Sequence, residues 1–280
     1  MPTFATDDNV NIHYQDVGAG FPLLFAHEFA GDITSWEPQV NFFARRYRVI
    51  TYCHRGYPPS GVPEDPAAYS QERLVEDMRQ LLEHLGIGQA YIAGLSMGAA
   101  TALSFGIAHP EMCRALVVAA TGTGSTDREM HLEAWRQNVE RLKTEGIAGF
   151  ADEYANGPTR VQFKRKDPLG WEKFYAGLAS HSALGSALIT QGIQLKRPTV
   201  FQLEDEMRRM AVPTLLLAGD EDDPCIEPML FIKRCVGTSG LVFFPQSGHT
   251  INLEEPALFN RTVLDFLTAV EAGAWAIRSG

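Results

Sequence analysis

The sequence predicts an α/β fold: a mostly parallel sheet of eight strands, flanked by helices and interrupted by an inserted helical cap. Three observations predict it. Short apolar runs alternate with amphipathic helical segments, the pattern of right-handed crossovers in a parallel sheet. A strand, a sharp turn and a helix follow one another directly over residues 89–109. A long stretch of helical patterns without any strand-like run separates the sixth strand from the seventh.

Six strands are predicted in the first half of the chain. The first two are joined by a turn, and the loose alternation of the second is typical of an antiparallel strand with one solvated face. The others are almost continuously apolar, as in FPLLFA, which indicates strands buried on both faces. The six predicted strands are residues 3–5, 10–17, 21–26, 47–53, 90–93 and 115–120.

Two further helices are predicted in this half, over residues 36–47 and 71–85. The second has Ser70 as its N-cap and ends at Gly86. Its apolar residues fall at i, i+4, i+7, i+8 and i+11, which predicts one buried face made of Leu74, Met78, Leu81, Leu82 and Leu85.

The second half of the chain begins with the inserted segment. We predict a core formed by residues 1–122 and 211–280 and a helical cap formed by residues 123–210. Most aromatic side chains of the cap are expected to pack between cap and sheet, with a few lining a pocket. The sheet resumes with strands at 214–218 and 240–244, and an amphipathic helix at 256–270 follows.

Composition restricts the partners of the chain. Its 280 residues carry a net charge of −10, which argues against nucleic acid and anionic membranes as partners and leaves a small-molecule substrate. The four cysteines are scattered without a CxxC pair, so free thiols in a reducing compartment are expected. No signal-peptide pattern and no apolar run of roughly 20 residues is present, so a cytoplasmic protein is expected. Oligomeric state is not predicted.

A serine stands at the apex of the sharp turn, in Gly94-Leu95-Ser96-Met97-Gly98. A tight strand-to-helix turn requires residues almost without side chains two positions before and after the serine, and both glycines meet this requirement. The following helix presents the Met97 N–H and a positive dipole end to a developing oxyanion. Five such residues could also arise by chance in a glycine-rich loop, but the apolar strand before them and the helix after them favour the functional interpretation.

A serine nucleophile needs a base within hydrogen-bond reach, and the base needs an orienting carboxylate. Both must lie at the carboxyl ends of strands, where an open α/β sheet places its ligands. Two loops qualify: GDEDDP after TLLLA, and PQSGH after GLVFF. The second supplies His249 as the base. The first offers Asp220, Asp222 and Asp223, of which only one can meet the imidazole.

These motifs resemble those of α/β-hydrolase-fold enzymes along nearly the whole chain. The matching pieces are the GLSMG turn, YRVITYCHRGYPPSG, VPTLLLAGDEDDP and SGHTINLEEP. The sequence is most similar to esterases and to the 3-oxoadipate enol-lactonase group. The resemblance implies that Ser96, Asp222 and His249 form a catalytic triad in the order nucleophile, acid, base. It also implies that the N–H of Phe29, two residues after His27, is the second oxyanion donor besides Met97.

The chain departs from this family at Glu28, because the usual pattern after His27 is glycine. One interpretation is that Glu28 points away from the site and pairs with a cation such as Arg55, since an unpaired buried charge is costly. The other is that Glu28 lines the substrate pocket, where it would select a basic group or position water. His27 itself is expected to support its loop. The remaining histidines are expected at the surface or with satisfied polar atoms: His13, His54, His84, His109, His131 and His181.

No metal-ligand spacing and no GxGxxG after the first strand is present, so neither a metal nor another cofactor is expected. The sequence therefore predicts a serine hydrolase that cleaves a carboxylic ester or lactone through an acyl-enzyme. A dehalogenase or epoxide hydrolase of this fold would need aspartate in place of Ser96. Three alternatives remain: hydrolysis of a carbon–carbon bond in a ring-cleavage product, cofactor-free oxygenation or peroxidation, and a ligand receptor with little turnover.

Overall fold

The computed structural model describes residues 2–276. Within them, eight strands form one sheet in the order β1-β2-β4-β3-β5-β6-β7-β8. Strand β2 runs antiparallel to β1 and β4, and the other neighbours are parallel, which confirms the predicted eight-stranded, mostly parallel sheet. The strands are β1 (Thr3–Ala5), β2 (Asn11–Val17), β3 (Pro22–Ala26), β4 (Arg48–Tyr52), β5 (Ala90–Leu95), β6 (Cys113–Ala119), β7 (Thr214–Gly219) and β8 (Ser239–Phe244).

Helices flank the sheet and fill the connection between β6 and β7. The α-helices of the described chain are α1 (Glu37–Phe43), α2 (Gln71–His84), α3 (Met97–Ala108), α4 (Arg128–Thr144), α5 (Gly146–Ala155), α6 (Val161–Lys166), α7 (Pro168–Ala179), α8 (Ala183–Ile189), α9 (Glu204–Arg209), α10 (Asp223–Cys235), α11 (Ile251–Glu254) and α12 (Pro256–Glu271). None of them is both long and apolar enough to cross a membrane.

Both faces of the sheet are covered, which explains the almost continuous apolar runs of its central strands. Because successive side chains point to opposite faces, Leu24 and Ile92 belong to an apolar cluster that includes residues of α2, α3 and α10. Phe25 and Tyr91 belong to a second cluster that includes residues of α1 and α12. The four cysteines are free and buried.

The connection between β6 and β7 contains α4 to α9, and we keep the name cap for its residues 123–210. A third apolar cluster joins aromatic residues of the cap, such as Trp135 and Phe150, to Phe29, Tyr57 and Met97 outside it. The aromatic stripes of the cap are therefore mainly packing, as expected from their spacing. The division into a core domain and a cap domain stays a prediction.

Two helices differ from the sequence expectation. The helix expected at 36–47 is shorter, because a 3₁₀ turn over Ile33–Trp36 comes first and Pro38 lies in the first turn of α1. Helix α10 has no counterpart among the predicted elements, and it contains Pro228, which cannot donate a backbone hydrogen bond. It forms nevertheless because Met229 and Ile232 bury an apolar stripe against the sheet.

Candidate active site

Ser96 occupies a strained turn between β5 and α3. Its backbone has φ 55° and ψ −110°, a region that residues with a side chain rarely adopt. The Ser96 N–H donates to the carbonyl of Ala119 at 2.8 Å, which ties the turn to the end of β6. Such strain persists only where the surroundings fix the conformation, and it concentrates at functional sites.

The two glycines of the turn are required by close backbone approach. A Cβ on Gly94 would lie 2.2 Å from the carbonyl oxygen of Gly98. A Cβ on Gly98 would lie 2.1 Å from the carbonyl oxygen of Ala26, at the end of the neighbouring strand β3. Any side chain at either position would push α3 away from the sheet.

Asp222 and His249 are hydrogen-bonded to each other. His249 Nδ1 lies 2.7 Å from Asp222 Oδ2, and only 6% of His249 and 1% of Asp222 is exposed. Because the carboxylate accepts, Nδ1 carries the proton, and Nε2 is left as the proton acceptor. Of the other two aspartates, Asp220 accepts from the Ser247 N–H at 3.2 Å, and Asp223 is exposed at the start of α10. Of the three aspartates of this loop, Asp222 is therefore the one whose carboxylate meets the imidazole.

The loop that carries His249 is docked on the cap. The His249 N–H donates to the carbonyl of Thr159 at 2.8 Å. A Cβ on Gly248 would lie 2.3 Å from the same oxygen, so glycine permits this approach. The Gly248 N–H donates to the buried carboxylate of Glu254 at 2.9 Å, and Lys166 of the cap pairs with that carboxylate at 3.0 Å.

Ser96, Asp222 and His249 line one cavity of about 430 Å³, a size that suits a small molecule. Cap side chains supply most of its remaining wall. The apolar part of that wall includes Trp135 and Phe150, and the polar part consists of Thr123, His131, Asn138, Arg141, Glu153, Tyr154, Thr159, Arg160, Gln194 and Arg197.

The two predicted oxyanion donors are placed by separate elements. Met97 is the first residue of α3, where a backbone N–H has no acceptor within its own helix. Phe29 lies in the loop after β3, and its ring packs edge-on against Trp135 at 5.0 Å between centroids.

His27 holds the loop of Phe29 against the loop after β4. Its Nδ1 lies 2.7 Å from the Glu28 carbonyl, and its Nε2 lies 3.0 Å from the His54 N–H. These partners require a neutral ring protonated on Nδ1. Burial accordingly lowers the pKa of His27. The histidine supports its loop, as the sequence interpretation expected.

Glu28 pairs with a cation, but the predicted partner is wrong. Arg55 binds Asp8 and Asp77 instead, each at 2.7 Å. Glu28 is paired with Arg160 of the cap, whose Nη1 lies 2.8 Å from Oε1. The guanidinium lowers the pKa of the carboxyl group, against the opposing effect of complete burial.

The predicted substrate-pocket role of Glu28 also needs correction. Only 1% of the residue is exposed, and it is not among the residues that line the cavity, whereas Arg160 is. Glu28 therefore offers no free carboxylate to a basic substrate.

Comparison with known proteins identifies the family of the chain. The profile of the α/β-hydrolase fold matches residues 22–256. The chain belongs to the α/β-hydrolase fold family. It is 28% identical over 271 residues to 3-oxoadipate enol-lactonase 2 of Acinetobacter baylyi, which covers 94% of this chain and 97% of that protein. A relative from Mycobacterium tuberculosis that carries the name of a non-heme bromoperoxidase is 27% identical, over 94% of this chain and 100% of that one.

Solved structures support the same family. A thermophilic esterase from Thermogutta terrifontis, solved with malate bound, superposes with a TM-score of 0.84 at 28% identity, covering 96% of this chain and 97% of that one. With its hydrolase relatives, the chain is identified as an α/β-hydrolase enzyme.

Sequence reasoning missed several cavity residues of this α/β-hydrolase. Arg160, Arg197 and His131 line the cavity from cap positions that carry no recognisable motif. His131 was expected at the surface or satisfied, but its Nε2 is buried without a partner among residues 2–276. Burial, with the charges of Arg197 and Arg128, lowers the pKa of His131 to about 4.

The same expectation is wrong for three other histidines. Both ring nitrogens of His54 and of His181, and Nε2 of His13, are buried and unpartnered within the described residues. Only knowledge of the surrounding fold could have revealed this, since none of the three lies in an apolar run.

One group of side chains, which includes Asp222 and His249, has donors that could ligate a metal. Single ligand atoms of Asp222, Cys225 and His249 lie within 4.8 Å of one another. Burial, reinforced by the charge of Asp222, raises the pKa of the Cys225 thiol well above its usual value. A metal there would need the thiolate and would break the hydrogen bond between Asp222 and His249, so the group fits a triad better than a metal site.

Proposed function

We propose that this α/β-hydrolase is a serine hydrolase that cleaves a carboxylic ester or lactone through an acyl-enzyme. The observation that carries the proposal is the buried hydrogen bond between His249 and Asp222, beside a cavity that Ser96 also lines from its strained turn. The similarity to an enol-lactonase supports an acyl carbon as the reacting centre.

In the acylation step, His249 Nε2 accepts the proton of the Ser96 hydroxyl while the oxygen attacks the substrate carbonyl. Asp222 stabilises the imidazolium that forms. The N–H groups of Phe29 and Met97 donate to the oxyanion, and each such donor typically contributes about 2.7–4 kcal/mol to the transition state. The carbon–oxygen bond then breaks, and the imidazolium returns the proton to the leaving alkoxide.

In the deacylation step, His249 accepts a proton from water, and the hydroxide attacks the acyl-enzyme. Collapse of the second oxyanion releases the acid and restores the Ser96 hydroxyl. Two easier steps thus replace one difficult displacement. With a lactone, the alcohol released in the first step stays attached to the acyl group.

Turnover of p-nitrophenyl esters tests the proposal. We expect saturable hydrolysis that falls by about 10⁴-fold or more in Ser96→Ala, since the residual rate comes from the oxyanion donors alone. Full activity in Ser96→Ala would exclude serine as the nucleophile. Absence of turnover on every ester and lactone tried would favour the receptor alternative.

A second candidate is peroxidation, which the bromoperoxidase-named relative favours. Hydrogen peroxide in place of water would convert the same acyl-enzyme into a peracid. Oxidation of a halide that requires both peroxide and an acyl donor, and that is lost in Ser96→Ala, would support it. We also propose a cytoplasmic enzyme, which four buried free cysteines support.

A further inference from the structure

Three guanidinium groups line the cavity, and two of them have carboxylate partners. Arg141 pairs with Glu153, which lines the same cavity. Arg160 pairs with Glu28. The third, Arg197, is paired with no carboxylate of residues 2–276, and its Nη1 is buried without any hydrogen-bond partner there.

The surroundings of Arg197 leave its charge uncompensated. Its Nη2 makes one long hydrogen bond, 3.5 Å, to the carbonyl of Thr123. Burial, together with the nearby charge of Arg128, lowers the pKa of Arg197 to about 10, and the group stays cationic at neutral pH. A buried, unpaired charge is costly to a folded protein, so a ligand anion would stabilise this part of the cavity.

Two uncharged groups of the same cavity also lack partners within the described chain. They are His131 Nε2 and Gln194 Oε1, both buried. Gln194 Oε1 only accepts, but His131 Nε2 can donate in one tautomer, so the cavity combines one free positive charge with one neutral group that can donate to an anion. This combination matches a monoanionic group such as a carboxylate better than a dianion such as phosphate, which typically binds a cluster of cationic or backbone N–H donors.

Arg197 is connected to the reacting groups by a short series of contacts. Thr123, whose carbonyl it meets, has its hydroxyl 3.1 Å from Cys225 Sγ. Cys225 Sγ lies 3.9 Å from His249 Nδ1. Arg197 thus lies on the side of the triad formed by the loop after β6, within reach of the far end of a small substrate.

We propose that Arg197 forms a carboxylate-binding subsite, and that the substrate is an ester or lactone carrying a second, ionised carboxylate. The guanidinium of Arg197 donates to this carboxylate and holds the acyl carbon over Ser96. The proposal rests on the proposed function for the identity of the reacting bond, but anion binding itself can be tested without turnover.

Paired substrates test the subsite in the active enzyme. We expect a higher kcat/KM for the p-nitrophenyl monoesters of succinate and glutarate than for the uncharged butyrate and valerate esters. Arg197→Gln should lower kcat/KM by roughly 10- to 100-fold on the charged esters, mainly through KM, and by less than about threefold on the neutral ones. Arg197→Lys should retain part of the preference.

A matched control removes a paired guanidinium instead. The double variant Arg141→Gln with Glu153→Gln deletes a cavity arginine without changing net charge, and we expect it to keep the preference for charged esters. A wild-type enzyme that prefers the neutral esters would overturn the subsite, as would equal losses on both ester types in Arg197→Gln.

Calorimetric titration of Ser96→Ala separates the subsite from the chemistry. We expect succinate or glutarate to bind at least about tenfold more tightly than the matching neutral diamide, and Arg197→Gln to abolish this difference. Equal binding of diacid and diamide to folded Ser96→Ala refutes the subsite even if esters are hydrolysed. Selective diacid binding without turnover of any ester leaves the subsite standing and refutes the proposed function.

Discussion

Arg160 of the cap donates to both carboxylate oxygens of Glu28, in the loop that carries a predicted oxyanion donor. The guanidinium also lies over the rings of Tyr154 and Phe174, at 5.1 and 5.2 Å from their centroids. The residue before it, Thr159, accepts the backbone N–H of His249. One turn of the cap thus contacts both the loop of Phe29 and the loop of His249.

Removing one partner of this pair should destabilise the protein strongly. Arg160→Met leaves the Glu28 carboxylate buried and unpaired, which typically costs about 3–5 kcal/mol in the free energy of unfolding. Glu28→Gln in the same chain removes the stranded charge, so the double variant should recover most of the loss. Urea denaturation at pH 7 of the wild type, both single variants and the double variant measures this coupling. Additive effects of the two substitutions would show that the pair is not an energetic unit.

The assignment of the acid can be tested against its neighbours. Asp222→Asn should lower kcat by about 10⁴-fold, because asparagine no longer holds His249 in the tautomer that accepts a proton. Asp220→Asn and Asp223→Asn are matched controls, since neither carboxylate meets the imidazole, and they should keep kcat within a few-fold. A comparable loss of kcat in Asp220→Asn would move the acid role to that residue.

The buried histidine of the cavity should make stability depend on pH. The pKa of His131 is lowered to about 4 in the folded protein, from 6.5. Between these values the unfolded chain binds a proton at His131 that the folded chain does not. The contribution of the neutral His131 to stability is therefore fully present above pH 6.5 and is lost as the pH falls towards 4. One such group contributes a slope of up to about 1.4 kcal/mol per pH unit.

The comparison with His131→Gln isolates this effect, since other buried histidines titrate equally in both proteins. Unfolding free energies measured from pH 8 to 4 should run parallel above pH 6.5, and below it the wild type should lose stability faster than the variant. Parallel curves over the whole range would mean that His131 is protonated as easily in the folded protein as in the unfolded one.

The sequence predicted the sheet and the turn of Ser96 because the causes of both are local. Apolar runs determine the strands, and Gly94 and Gly98 stand beside the residue that needs them. The partner of Glu28 could not be found in this way, since Arg160 lies 132 residues further along the chain. The same limit applies to Arg197 and His131, whose positions depend on how the cap folds over Ser96 and His249. Helix α10 was missed for another reason, because burial of its apolar stripe outweighs the local cost of Pro228.

The strain at Ser96 should be measurable as stability gained when it is relieved. Glycine adopts φ 55° and ψ −110° at little steric cost, so Ser96→Gly should release about 1–3 kcal/mol of backbone strain. The same substitution removes the hydroxyl and should therefore abolish catalysis. Glycine also increases the entropy of the unfolded chain, which offsets part of this gain. Ser104→Gly, within α3, carries the same entropic cost without any relief of strain, and it is therefore the matched control. We expect Ser96→Gly to be more stable than Ser104→Gly by at least about 1 kcal/mol in urea denaturation. Equal stabilities of the two variants would mean that the backbone of Ser96 is not strained. The contacts of Gly94 and Gly98 alone would then account for the conformation of the turn.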